Sequence, residues 1–251
     1  MSGALSGRVA LVTGAGRGIG AAIAEAYARE GASLCLADRD ADGGIAEVSR
    51  RCEALGVQTL RLTADVSDEA DVVAMFGRAE QEFGGVDVVV NNAGILTECR
   101  VEQMSTAMWD EMIAVDLRSV FLCSRAALPH MQRQGFGRII NVASQLGQKG
   151  GVGLAHYSAA KAGVIGFTRA LAREVGKHGI TANCIAPGPI DTPLADGLSD
   201  EWIRTLTASL PLGRFGAPHE VAPTAVLLAS DPAGNIYTGQ TLGPNSGDVM
   251  L

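Results

Sequence analysis

Tyr157 and Lys161 stand four residues apart in the segment YSAAK, and Ser144 lies thirteen positions before the tyrosine. On a helix that i, i+4 spacing puts both side chains on one face. A phenol titrates near pH 10 in water (roughly) and is a poor base at neutral pH, but an ammonium beside it favours the phenolate. The pair can therefore act as a general acid/base, and the Ser144 hydroxyl can donate a hydrogen bond to an oxygen held near them. Such a trio suits proton exchange with a substrate hydroxyl or carbonyl. It cannot supply a hydride, which is cofactor chemistry.

A second pattern fits that need. TGAGRGIG follows the first β-branched run and places Gly14, Gly18 and Gly20 in a turn that opens a helix over 19–29, with Arg17 and Ile19 in the same turn. Backbone amides at such a helix start can face a pyrophosphate, and glycine leaves room for the turn, the phosphates and helix-on-strand packing. The next run ends at Asp38, eighteen positions past Gly20, where an acid can accept hydrogen bonds from a ribose hydroxyl pair. Strand, glycines, helix, strand and acid in that order predict a dinucleotide site. A carboxylate within about 4 Å of a 2′-phosphate would be repelled by roughly 1 kcal/mol per charge pair even in water, so NAD is expected over NADP. Arg17 and Arg39 pull the other way, since either guanidinium could neutralise a phosphate.

The elements that must carry these groups read as short β-branched runs at 8–13, 32–37, 57–62, 86–90, 138–143, 180–185 and 238–243, with helix-length amphipathic segments between most of them. Alternation of this kind predicts a Rossmann-type α/β fold: one doubly wound parallel sheet of about seven strands with helices on both faces. Ligands of such sheets bind beyond the carboxyl ends of the strands. A single domain over 1–251 is expected, with a movable lid at about 189–216, where prolines and glycines flank a short amphipathic piece.

With 47% apolar residues, 32 glycines and a formal charge of −7, the chain suits one large core and does not suit a phosphate-tracking nucleic-acid surface. The five cysteines are odd in number and set in apolar contexts, which predicts buried reduced thiols and a cytoplasmic location. Neither a signal peptide nor a membrane span is expected, because the apolar runs are strand-sized. His130, His156, His178 and His219 lack metal-ligand spacing, so no metal is expected.

Together these features resemble the short-chain dehydrogenase/reductase family in its compact single-domain branch, over essentially the whole chain. TGAGRGIG resembles its cofactor turn, NNAG at 91–94 its fourth-strand motif, Ser144 with Tyr157 and Lys161 its catalytic triad, and PGPIDT at 187–192 its nicotinamide-side loop. The resemblance implies that Ile190 and Thr192, on the loop begun by Pro187 and Gly188, contact the carboxamide. It also implies that Asp65 and Val66 flank the adenine, that Asn92, Ala93 and Gly94 line the cofactor near the ribose, and that Lys161 reaches the nicotinamide ribose. A bound nicotinamide cation would further favour the Tyr157 phenolate. Two departures stand out. The family usually carries Asn where this chain has Asp116, which could hold the relay water or pair with Lys161 directly. The ending GQTLGPNSGDVML also lacks the common Asp-Gly-Gly. A homotetramer or homodimer is implied, with helices over 108–125 and 155–175 as possible interfaces.

The expected activity is NAD(H)-linked interconversion of a secondary alcohol and a ketone on a small molecule. A 3-oxoacyl-thioester reductase is served by the same motifs. A regulator that senses the cofactor without turnover is a third reading, against which the triad is intact. Ser144, Gln145, Leu146, Val152, Tyr157, Leu194 and Trp202 are expected around the substrate, along with Gly151, Leu154, Leu198 and Leu206.

Overall fold

The computed structural model describes residues 3–40, 44–193 and 200–250. Five of the apolar runs form strands buried along most of their length, the pattern of strands covered on both faces: Val9–Thr13 (β1), Ser33–Asp38 (β2), Val88–Asn91 (β4), Gly137–Val142 (β5) and Ile180–Ile185 (β6). Thr59–Thr63 (β3) and Thr241–Leu242 (β7) form the two edges. Among the described residues the sheet has seven parallel strands in the order β3-β2-β1-β4-β5-β6-β7. β7 is shorter than the run at 238–243 implied. Flanking it, side chains join the backbone pairing: Ala182 donates to the Thr238 side chain at 3.3 Å and Gln240 donates to the Asn183 side chain at 3.0 Å.

Helices cover both faces: α1 (Gly18–Arg29), α2 (Ile45–Glu53), α3 (Glu69–Phe83), α4 (Thr106–Ile113), α5 (Ser119–Gln134), α6 (Leu146–Lys149), α7 (Ala155–Val175), α8 (Asp200–Ser209) and α9 (Pro218–Ala229). Successive strand residues point to opposite faces. Ala10, Val12, Leu34, Leu36, Val88 and Val90 share a core with residues of α1, α2 and α9. Leu11, Cys35, Val89 and Ile139 share another with α3, α5 and α7. The small residues of α1 let it lie close to α9, and the Tyr27 hydroxyl ties the two by donating to the Ala225 carbonyl at 3.1 Å. Cys35, Cys52, Cys123 and Cys184 are buried free thiols, whereas Cys99 is only half-buried, because it sits in the loop beyond β4 rather than in an element. No helix among the described residues is long and apolar enough to cross a membrane.

Two features of this frame place the site. β1 and β4 are neighbours although β2 and β3 lie on β1's other side, so the direction of winding reverses between them and a crevice opens beyond their carboxyl ends. The continuous helix expected over 108–125 is instead α4 and α5 joined by a π-helical turn, Ala114–Arg118. The widened turn re-aims one residue, and that residue is Asp116, which is completely buried.

Candidate active site

The glycine turn is built as its spacing suggested. Gly14 and Gly18 have φ of +63° and +56°, a backbone region that side chains disfavour. Gly20 faces no cleft: a Cβ there would stand 2.2 Å from the Gly14 carbonyl oxygen, so its part is to let α1 press against β1. Arg17 caps α1 without a side-chain hydrogen bond, and no acid occupies the first turn. Uncapped amides and an uncompensated helix dipole face outward there, which is the chemistry of an anion site. The opposite wall is tied to the turn by Asn92, whose side-chain amide donates to the Thr13 and Gly14 carbonyls at 2.9 and 3.1 Å. The Thr13 hydroxyl accepts from the backbone of both Asn92 and Ala93 at 3.0 Å. Thr13 opens the TGAGRGIG motif, but its place there gives it no role of its own in the sequence.

A cleft of about 990 Å³ runs from this turn and is lined by Gly14, Arg17, Gly18, Ile19, Asp38, Asp65, Val66, Asn92, Ala93, Gly94 and Thr192, among others. Asp38 Oδ2 accepts the Gly16 N–H at 3.0 Å, which fixes the carboxylate at the cleft edge. Asp65 accepts from the Ser67 hydroxyl and amide at 2.7 and 2.9 Å, and these bonds hold its carboxyl below the usual carboxylate value. Arg39 joins the lining. These residues and the turn fit a dinucleotide: donors for a diphosphate at one end and an acid for a ribose at the other.

An adjoining cleft of about 830 Å³ shares Ile19, Asn92, Gly94 and Thr192 with the first. Ser144, Gln145, Leu146, Tyr157, Lys161, Asp116, Pro187, Gly188 and Ile190 line it, all residues expected at the site. Leu96 and Val142 line it too and were not foreseen, and so do Pro189 and Phe215, which lie within the expected lid but were not singled out. Phe215 reaches the cleft because Gly216 bridges to Ile190, a tertiary pairing without local signature. Val152, expected on the substrate, is 75% exposed and outside this lining. The chain turns at Gly150 and Gly153, both at positive φ, and this lifts Val152 into solvent while Leu154 is buried. Leu194 and Leu198 lie outside the described residues, as does the side chain of Trp202, whose backbone belongs to α8. Leu206 of the same helix lines the cleft.

At the cleft floor, Tyr157, Lys161 and Ser144 are 7%, 4% and 7% exposed. Lys161 Nζ donates to the Val142 carbonyl at 3.0 Å and faces Asp116 Oδ2 at 3.1 Å. An ammonium buried this deeply without partners would surrender its proton. Burial does work against its charge, but Asp116 and the Tyr157 oxygen outweigh it and lift Lys161 above the ordinary lysine value. Asp116 Oδ1 accepts the Ile95 N–H at 2.8 Å. Its other oxygen crowds Gly94, where a Cβ would stand 2.8 Å away, so that glycine is needed by the buried acid as well as by the cleft.

Tyr157 corrects an expectation. The phenol is not acidified by the protein's own groups: burial raises it above the usual tyrosine value, Lys161 and the Ser144 hydroxyl pull it down, and Asp116 pushes it up again. Burial is the largest of these influences, the ammonium's pull comes next, and the carboxylate paired with it opposes that pull. Beneath the site, Asn91 donates to Asn141 at 2.8 Å, Asn141 to Thr168 at 2.8 Å and the Cys184 thiol to Thr168 at 3.1 Å, a buried lattice that stiffens β4, β5, β6 and α7.

A parallel sheet wound in this order, a glycine turn at its switch point and a buried Ser-Tyr-Lys group define an oxidoreductase that works on a bound dinucleotide. The chain belongs to the short-chain dehydrogenase/reductase family. A family model described as enoyl-(acyl carrier protein) reductase matches residues 14–247. The chain is 42% identical over 247 residues to the 3-oxoacyl-[acyl-carrier-protein] reductase FabG of Vibrio cholerae, covering 98% of this chain and 99% of that one. It is 42% identical over 245 residues to the enzyme of the same name from Escherichia coli, covering 98% of each. Among solved structures, a short-chain type dehydrogenase/reductase from Mycobacterium marinum superposes with a TM-score of 0.93 at 33% identity, covering 98% of this chain and 97% of the other. The family uses a nicotinamide cofactor.

Proposed function

We propose that this chain reduces the keto group of a 3-oxoacyl thioester, with Tyr157 as proton donor. The observation that carries this reading is the kinship over nearly the full length of both chains with reductases named for that substrate, joined to an intact Ser144-Tyr157-Lys161 group at one cleft. It takes the place of the broader alcohol and ketone reading as the leading one. The nicotinamide supplies the hydride when bound. Ser144 and Tyr157 would hold the substrate oxygen, and Tyr157 would give it a proton. Lys161 has three N–H donors; one is given to the Val142 carbonyl, and the ammonium pairs with Asp116, so a donor is available for the nicotinamide ribose. Leu96, Leu146, Leu206 and Phe215 make an apolar wall suited to an acyl chain and to excluding water.

The cofactor is proposed to be NAD, on the strength of Asp38 at the cleft edge. Arg17 and Arg39 line the same cleft and are the groups that would favour the 2′-phosphate. The test follows absorbance of the reduced nicotinamide with a 3-oxoacyl thioester and a panel of simple ketones, each with NADH and NADPH. The account expects the thioester to be turned over with the higher kcat/KM. A clear preference for simple ketones would return the broader reading, and a more than tenfold preference for NADPH would overturn the choice of NAD. Binding of NADH with no turnover across the whole panel would favour the sensing regulator.

A further inference from the structure

We propose that Asp116 is a positioning residue for proton transfer: by pairing with Lys161 it cancels the cation beside Tyr157 and keeps that phenol in the form that donates a proton. The inference rests on Tyr157 as proton donor and adds the direction in which the site is poised, toward carbonyl reduction.

The geometry is specific. The π-helical turn carries Asp116 into the protein, where Oδ2 faces Lys161 Nζ at 3.1 Å and Oδ1 takes the Ile95 amide at 2.8 Å. Lys161 and Tyr157 project from the same face of α7, with Nζ 5.5 Å from the centre of the tyrosine ring. Whichever member of the Asp116–Lys161 pair holds the proton, the pair is neutral. Ionising Tyr157 beside it would leave a net negative charge in a pocket where none of the three is more than 7% exposed, and such a charge is costly. With an amide at 116, as in the family the chain resembles, Lys161 would stand alone as a cation and the phenolate would complete a neutral pair. A unit charge about 6 Å away at an effective dielectric near 20 displaces a titration by about two pH units.

The other titratable groups do not upset this balance. His156 on α7 faces Asp116, but it is buried, shares a hydrogen bond of 2.9 Å with the Thr97 hydroxyl, and burial holds it below the ordinary histidine value, as a neutral ring. Cys184 on β6 faces Lys161, with its thiol pushed up to about 11 by burial. Ser144 at the end of β5 faces Tyr157 as a neutral hydroxyl. In the reductive direction, with the hydride supplied to the carbonyl carbon by the bound dinucleotide, Tyr157 would give its proton to the carbonyl oxygen, and the resulting phenolate would recover a proton from solvent. A phenol that resists ionising stays ready for that step at neutral and mildly alkaline pH.

Asp116→Asn tests the proposal. Tyrosinate absorbance is titrated in the wild type and in Asp116→Asn, each set against its own Tyr157→Phe counterpart so that the difference reports Tyr157 alone. The midpoint should fall by about one pH unit or more in the amide variant, and the alkaline limb of the pH profile for reduction should fall with it. A midpoint that stays in place or rises overturns the proposal. Absence of turnover with every substrate would count against the assigned reaction, while the absorbance titration would still decide the role of Asp116. Should Asp116→Asn fail to fold, the Tyr157 ring-carbon NMR signal of the wild type decides: titration below about pH 9 overturns the proposal and titration above about pH 10 supports it.

Discussion

Asp38 serves two ends with one carboxylate. It closes the glycine turn through the Gly16 amide at 3.0 Å and lines the cleft proposed to hold the dinucleotide. Asp38→Asn keeps an oxygen for the amide but removes the charge, so the ratio of kcat/KM for NAD over NADP should fall roughly five- to tenfold, the size of one or two partly screened charge pairs. An unchanged ratio would transfer the cofactor choice to Arg17 and Arg39. Ser144, Tyr157 and Lys161 were legible because proton chemistry demands those types at a strand end and on one helix face. The rise of Tyr157 above the usual tyrosine value was not, since its largest cause is burial, which only the fold sets, although the pairing of Asp116 with Lys161 is one of the two options that the sequence leaves open.

At the scale of elements, the glycine turn and all seven strands could be read from apolar runs and turn residues, which report local sterics, though β7 is shorter than its run. Two features could not. The π-helical turn at Ala114–Arg118 has no compositional mark. The stretch just before α9 is tied down by the Ile190 to Gly216 bridge and by an ion pair, Arg214 to Glu220 at 2.7 Å, with Glu220 also accepting the Ala217 amide at 2.8 Å. This clip carries Phe215 to the substrate cleft. The Arg214 hydrogen bond, then the Ala217 amide, hold the Glu220 carboxyl down to about 2. Its contribution is therefore complete above the unfolded glutamate value near 4.3 (roughly) and is lost as pH falls through about 2. Glu220→Gln should mimic that loss at neutral pH, raising KM for the substrate about threefold or more with kcat and cofactor affinity little changed. An unaltered KM would show that the clip does not serve the cleft.

The whole molecule presents α5 and α7 side by side, with Phe121 42% exposed, Phe167 edge-on to it at 6.5 Å and Arg125 4.8 Å above its ring. An aromatic and guanidinium cluster on a helix face is the composition of an assembly surface. Phe121→Glu should lower the molar mass measured by light scattering from that of a dimer or tetramer to a smaller species, and a wild type that already runs as a monomer would remove this face from that role. The account as a whole turns on one phenol beside one bound dinucleotide. Its most direct test is Tyr157→Phe, assayed for NADH binding by fluorescence and for thioester reduction in the same preparation. NADH affinity within about twofold of the wild type with turnover reduced by about 10² or more is the predicted result. Turnover that survives the loss of the hydroxyl would contradict it.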